Sequence, residues 1–175
     1  MANPQIKIAT SKGDMIVELF EDKVPNTVAN IISLAESGFY QDMGFHRILK
    51  GFMAQGGCPN TKEGASGAPG TGGPGYTIAE EFHPDLKHYA RGIFAMAKTA
   101  APNSTGCQFF ILFKDAAFLD NGYSVFGQVV EGLEVIDSLE EVGHASDGLP
   151  PKEDIRFSIE VISKNDDSDY TVVKA

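Results

Sequence analysis

The chain has 175 residues, 42% of them hydrophobic and 22% charged, with 12 Phe and no Trp; this is one domain's worth of sequence, able to bury ~70% of its unfolded surface, and it excludes disordered and fibrous classes. Fourteen Lys plus Arg against 24 Asp plus Glu give a formal charge of −10, which excludes a general phosphate-backbone surface, because such surfaces bind through clustered cations. Nucleic acid and anionic membranes are therefore not expected as partners; no secretory signal opens the chain and no apolar run approaches the ~20 residues of a membrane span, so the expected location is the cytoplasm.

Gln5 to Thr10 alternates apolar and polar residues, Ser11-Lys12-Gly13-Asp14 supplies a turn, and Met15 to Phe20 resumes the alternation, which predicts a β-hairpin. Pro25 suits a first helical turn, Val28, Ile31, Ile32 and Ala35 recur at helical spacing, and Gly38 stands at the C-terminal cap, so a helix is expected over Pro25 to Ser37. Short strands are expected at Phe45 to Leu49 and Phe52 to Gln55, followed by a long Gly/Pro-rich surface loop from Gly56 to Gly75. Further strands are predicted at Gly92 to Ala97, Gln108 to Phe113, Ser124 to Val130 and Ile155 to Ile162, with a second helix from Leu133 to Leu139. Many short strands joined without helical crossovers point to an antiparallel barrel or sandwich, whose edges must be hidden by closure or stacking. Residues 1–164 form the expected domain and the polar, acidic residues 165–175 a solvated tail.

Most local motifs fail on context. Gly70-Thr71-Gly72-Gly73-Pro74-Gly75 fits GxGxxG but opens onto Tyr76-Thr77-Ile78 instead of a helix, and no Lys-Ser/Thr follows for a P-loop. Cys58 and Cys107, far apart and outside any Cys/His cluster, are read as reduced, packed thiols. His46, His83, His88 and His144 offer no metal-ligand spacing, so no metal or cofactor is expected, and no GxSxG elbow marks a nucleophilic Ser.

The run Phe45-His46-Arg47-Ile48-Leu49-Lys50-Gly51-Phe52-Met53-Ala54-Gln55-Gly56-Gly57 is different. Strand alternation places Phe45, Arg47 and Leu49 on one side, until Lys50-Gly51 resets the direction. An Arg among such neighbours is either a stem covering apolar surface with its head in water, or a fixed guanidinium at the rim of an apolar pocket with Gln55 as a nearby polar arm; periodicity leaves both open.

This run resembles the FHRxxxxFMxQGG motif of the cyclophilin family of peptidyl-prolyl cis/trans isomerases. Gly106-Cys107-Gln108-Phe109-Phe110-Ile111 resembles a second motif of that family, and Phe118-Leu119-Asp120-Asn121-Gly122-Tyr123-Ser124-Val125-Phe126-Gly127 a third. With the opening hairpin and the Asn26-Thr27-Val28-Ala29-Asn30-Ile31 helix, the resemblance covers nearly the whole chain. It implies a mainly β fold, a closed eight-stranded antiparallel barrel capped by two α-helices.

By the same resemblance Arg47 is the catalytic arginine and Gln55 the glutamine that helps bind the substrate backbone and orients that arginine. Phe52, Met53, Phe110 and Leu119 match the apolar pocket for the proline ring. Ala97, Lys98 and Gln108 fall where the family contacts the peptide backbone and an adjacent pocket, Lys98 replacing a frequent Asn. Phe118 stands where many members have Trp, and Tyr123 where many have His; both substitutions resemble bacterial-type members. The resemblance thus implies isomerisation of X–Pro bonds in peptides and unfolded protein clients by a monomer, without cofactor, and weak binding of cyclosporin, because Phe lacks the indole N–H donor. Two other readings use the same features: a module that binds Pro-containing segments without catalysis, and a barrel enclosing a small apolar ligand.

Overall fold

The computed structural model describes residues 2–175. Nine strands run in chain order with two helices: β1 (Gln5–Thr10), β2 (Gly13–Leu19), α1 (Pro25–Glu36), β3 (Met43–Gly44), β4 (Arg47–Leu49), β5 (Met53–Gly56), β6 (Ile93–Met96), β7 (Phe109–Leu112), β8 (Val125–Glu131), α2 (Leu133–Glu141) and β9 (Arg156–Ser163). They form one antiparallel sheet in the order β3-β9-β1-β2-β8-β6-β7-β5-β4. The expected closed eight-stranded barrel is thus a curled nine-stranded sheet. Its edge strands β3 and β4 are consecutive in the chain, so two residues of polypeptide, not a ladder of hydrogen bonds, join the edges.

Strand alternation sorts the side chains into two apolar clusters. The interior holds Ile6, Ile8, Met15, Val17, Ile48, Ala54, Phe94, Phe109, Ile111 and Phe157, together with Val28, Ile31 and Ile32 of α1 and Val135, Ile136 and Leu139 of α2. Phe94, Phe109, Phe126 and Phe157 interlock there at centroid separations of 5.7–6.0 Å, so aromatic rings fill the space that a lipocalin-like ligand would need. The second cluster lies on the other face of the same strands and contains Met53, Ile93, Ala95, Phe110, Leu112, Ala116, Leu119 and Val125. Met53, Phe110 and Leu119, three of the residues expected to line a proline pocket, belong to this outer face.

One sequence expectation fails locally. Phe45 and His46 lie between β3 and β4 and belong to neither strand, so the alternation does not run through them. Phe45 turns into the interior, 4.6 Å from the ring of Phe157, while Arg47 and Leu49 face outward.

Helix α1 ends as expected, with Gly38 at φ +81°, Gly38 N–H donating to Ala35 O and Phe39 N–H to Leu34 O, a Schellman cap. Its first turn has no side-chain cap of its own. The Glu81 carboxylate, from the long loop region, accepts Thr27 N–H at 2.5 Å, Thr27 Oγ1 at 2.6 Å and Asn26 N–H at 3.2 Å, satisfying orphan donors at the positive end of the helix dipole. Buried Asn30 donates to Gly106 O at 2.7 Å and accepts from Tyr76 Oη, and Tyr40 Oη donates to Cys107 O at 2.7 Å. Helix, loop and the Gly106–Phe110 segment are therefore tied together.

The C-terminal residues are tethered rather than simply solvated. Asn165 Nδ2 and Ser168 Oγ donate to Glu21 at 2.8 and 2.9 Å, Val173 and Asn26 exchange two hydrogen bonds, and Ala175 N–H donates to Thr77 O.

Candidate active site

Lys50-Gly51, with Gly51 at φ +75°, turns β4 back onto β5. The resulting register makes Arg47 and Gln55 cross-strand partners; Gln55 in turn faces Phe110 on β7, and Phe110 faces Ala95 on β6. A period of two therefore gathers Arg47, Met53, Gln55 and Phe110 on one face from three strands. The tight helical turn Ala117–Leu119 closes the far wall with Leu119 buried, while Phe118 is 77% exposed at the rim, its ring 5.6 Å from that of Phe52.

Arg47, Phe52, Met53, Gln55, Ala97, Lys98, Phe110, Phe118, Leu119 and Tyr123 line one cavity of 380 Å³. Gln108 lines the adjoining cavity of 460 Å³, which shares Gln55, Ala97 and Lys98 with the first. All eleven residues singled out from the sequence thus lie in two contiguous hollows.

A polar relay crosses the floor between them. Arg47 Nη1 donates to Gln55 Oε1 at 3.2 Å, Gln55 Nε2 donates to Gln108 Oε1 at 3.0 Å, and Gln108 Nε2 donates to Gly70 O and Gly72 O, both at 2.9 Å. The Gly-rich loop is thereby fixed from one side; from the other, buried Cys58 Sγ accepts Gly70 N–H and Gly72 N–H. The same Arg47 donates from Nε and Nη2 to the carboxylate of Asp147, at 3.0 and 2.8 Å. A guanidinium has five N–H donors; three are engaged here, leaving one on Nη1 and one on Nη2.

A model of the family described as cyclophilin type peptidyl-prolyl cis-trans isomerase/CLD matches residues 5–161. The chain belongs to the cyclophilins. It is 37% identical over 168 residues to peptidyl-prolyl cis-trans isomerase B of Escherichia coli, covering 89% of this chain and 97% of that one. It is 38% identical over 160 residues to CYP18-1 of Arabidopsis thaliana, covering 91% and 96%. Within the longer peptidyl-prolyl cis-trans isomerase-like 2 of Rhizopus delemar it spans 27% of the length, at 41% identity. Among solved structures, a Cryptosporidium parvum cyclophilin type isomerase in the presence of the dipeptide Ala-Pro superposes with a TM-score of 0.82 at 33% identity, over 91% of this chain and 99% of that one.

Sequence reading did not single out several residues that brace these two hollows of the cyclophilin. His88 N–H and Nδ1 both meet Asp120 Oδ1, at 2.8 and 2.9 Å, Ala116 N–H donates to His88 O, and the His88 ring stacks on Phe110. These contacts hold the turn that carries Phe118 and Leu119. Lys98 Nζ sits 3.5 Å from Glu80 and 5.6 Å from the Tyr123 ring centroid, so the Lys that replaces a frequent Asn is itself anchored. Asp120 was inside a recognised motif, but His88 and Asp147 carry no local signal, because their partners are distant in sequence.

Neither thiol is placed for catalysis. Both are buried, and burial first, with the neighbouring Cys58 second, pushes the Cys107 thiol up to about 12, which leaves it un-ionised at neutral pH. Among the described residues no group of three or more His, Cys, Asp or Glu could hold a metal ion, and no helix is long and apolar enough to cross a membrane.

His46, beside the catalytic candidate, sets a pH limit on stability. Burial, and secondarily the Arg47 charge, lower its pKa to about 4, and its Nδ1 has no hydrogen-bond partner. Above pH ~6.5 the ring is neutral in both folded and unfolded chains; between ~6.5 and ~4 only the unfolded chain takes the proton, so stability falls with falling pH. The expected loss is roughly 3 kcal/mol across that window. Urea midpoints should therefore drop between pH 7 and 4.5, and His46→Gln should flatten the dependence. Some slope will persist, since His88 is also lowered, by burial against the opposing effect of Asp120. An unchanged slope in the variant would remove His46 as its source.

Proposed function

We propose that the chain accelerates rotation about X–Pro peptide bonds of peptides and folding proteins, with Arg47 as the catalytic residue. The observation that carries this reading is a fixed guanidinium, with two N–H donors uncommitted, lining the same cavity as Phe52, Met53, Phe110 and Leu119. Amide resonance holds the X–Pro bond behind ~18–20 kcal/mol, and uncatalysed isomerisation takes tens to hundreds of seconds. No bond is broken and no proton is transferred. As the bond twists, the lone pair localises on the prolyl nitrogen, and an N–H aimed there binds the transition state more strongly than the planar ground state.

Phe52, Met53, Phe110 and Leu119 hold the ring while the acyl side turns, and keep water from the amide. Gln55 both fixes Arg47 and presents a polar group to the substrate backbone. Gln108, Ala97 and Lys98 continue the surface into the second hollow, where the residues preceding proline would lie. An acceleration of ~10⁵ requires only ~7 kcal/mol of preferential transition-state binding. The reading extends to residues 1–164 as the isomerase domain, acting as a monomer in the cytoplasm on proline-containing peptides and unfolded clients.

The test is the cis-to-trans rate of an X–Pro peptide with purified protein. Strong acceleration supports catalysis; binding of the peptide without acceleration would make the cavity a Pro-segment binding module. Phe118 carries a separate expectation. Its exposed ring offers apolar contact but no donor at the rim, so inhibition by cyclosporin should be weak and Phe118→Trp should tighten it about tenfold, the worth of one buried hydrogen bond, with isomerase activity unchanged. Equal inhibition of both proteins refutes the role given to that missing donor.

A further inference from the structure

We propose that Asp147 is a positioning residue of the isomerase reaction: its carboxylate grips Arg47 along the Nε/Nη2 edge and so directs the two uncommitted N–H groups at the prolyl amide. The proposal rests on the reading of Arg47 as the catalytic donor, and it concerns a residue 100 positions away in the chain and outside all three motifs.

The segment that delivers Asp147 is built onto the strand that carries Arg47. β4 is an edge strand, so its outer side has unpaired backbone groups that another segment can meet. After α2 the chain passes Gly143, where a Cβ would come within 2.9 Å of the Ile48 carbonyl oxygen and 2.7 Å of Ile48 Cγ2; only glycine permits that approach. His144 N–H then donates to Ile48 O at 3.1 Å and Lys50 N–H donates to His144 O at 2.9 Å, forming a short parallel bridge beside Leu49. His144 Nε2 lies 3.0 Å from Pro150 O, which folds the stretch between them into a loop with Asp147 facing β4.

The carboxylate is itself oriented. Asp147 Oδ1 accepts Gly148 N–H at 2.8 Å as well as Arg47 Nε–H at 3.0 Å, and Oδ2 accepts Arg47 Nη2–H at 2.8 Å. Two parallel bonds from one fork are the geometry in which an ion pair fixes direction as well as distance. Hydrogen bonding to Arg47 keeps the Asp147 carboxyl below the usual carboxylate range, so the pair is intact throughout the neutral range.

Without it, Arg47 would be held by the single Gln55 bond at 3.2 Å. Its side chain is 37% exposed and would sample other rotamers in water. The contribution to folding is expected to be small, because both partners are accessible to solvent; the contribution to catalysis is larger, because orientation at the reacting atoms enters the rate directly.

The experiment uses the full chain as wild type, Asp147→Ala, Asp147→Asn and Arg47→Ala, with kcat and KM for an X–Pro peptide resolved separately and the Arg47 Nε–H resonance followed by NMR. Asp147→Ala is expected to lower kcat about tenfold with KM and the thermal midpoint unchanged, and to abolish the slowly exchanging Nε–H signal. Asp147→Asn, which keeps one acceptor oxygen, is expected to recover part of both. Wild-type kcat in Asp147→Ala while Arg47→Ala is inactive overturns the positioning role and leaves the arginine mechanism standing. A rise in kcat overturns it too, since the carboxylate would then be weakening the donor. Retained activity in Arg47→Ala shows instead that the underlying reading is wrong, and this proposal falls with it.

Discussion

Arg47→Ala is expected to lower kcat/KM for an X–Pro peptide by ~10²–10³, the usual consequence of deleting one preorganised donor from a developing charge, with the fold intact by circular dichroism. The side chain lies on the outer face of the sheet, does not enter the interior core, and forms its bonds with Gln55 and the accessible Asp147, so its removal leaves the packing of the barrel alone. The substitution opens no apolar cavity and strands no buried charge. Peptide affinity should change little, because the proposed proline pocket is made by Phe52, Met53, Phe110 and Leu119. Arg47→Lys should fall between the two: the charge survives, but a single ammonium cannot reproduce a planar fork that holds Asp147 and Gln55 while offering further N–H groups to substrate. Arg47→Ala retaining wild-type activity would eliminate this mechanism.

The largest expected structural effect comes from Gly57→Ala. Gly57 has φ +92°, and a Cβ there would lie 2.5 Å from the Cys107 carbonyl oxygen, a backbone atom that also accepts the buried Tyr40 hydroxyl. Left-handed backbone for a non-glycine residue and a clash with fixed backbone add, so a destabilisation of about 2–4 kcal/mol is expected in urea unfolding. Activity should fall as well, since Gly57 lies between Gln55 and Cys58 and presses on the segment that carries Gln108, three residues that hold the relay and the Gly-rich loop. Gly73→Ala is the matched control: it has ordinary φ and no heavy atom within 4 Å of the added Cβ, and should be neutral. If Gly57→Ala unfolds like the control, the contact is not rigid.

How far these residues could be read in advance follows from the range of the interaction that places each one. The β4–β5 hairpin, with Arg47 opposite Gln55, is local: strand alternation and one glycine turn put the two side chains on the same face. Both helices are bounded to within about two residues because apolar helical spacing is a local signal, sharpened in the first by Pro25 and Gly38. Phe45 was misplaced because a two-residue break in the strand is invisible to a period of two. Strand β3 was missed because it is two residues long and exists only through pairing with β9, more than a hundred residues later.

By itself the sequence determined the class of fold, through periodicity, and the family, through motifs contained in a dozen residues; the same motifs nominate Arg47 and the apolar residues proposed for the pocket. Only the tertiary structure decided that Arg47, Met53, Gln55 and Phe110 share the outer face of a barrel filled with phenylalanine, that the barrel's edges are joined by chain and not by a ladder, and that Arg47 is gripped from both sides. The physical reason is that Gln55 lies across one hairpin, whereas Asp147 and His88 reach their partners across 100 and 32 residues; such contacts form only when hydrophobic burial has closed the sheet and brought distant loops to one rim.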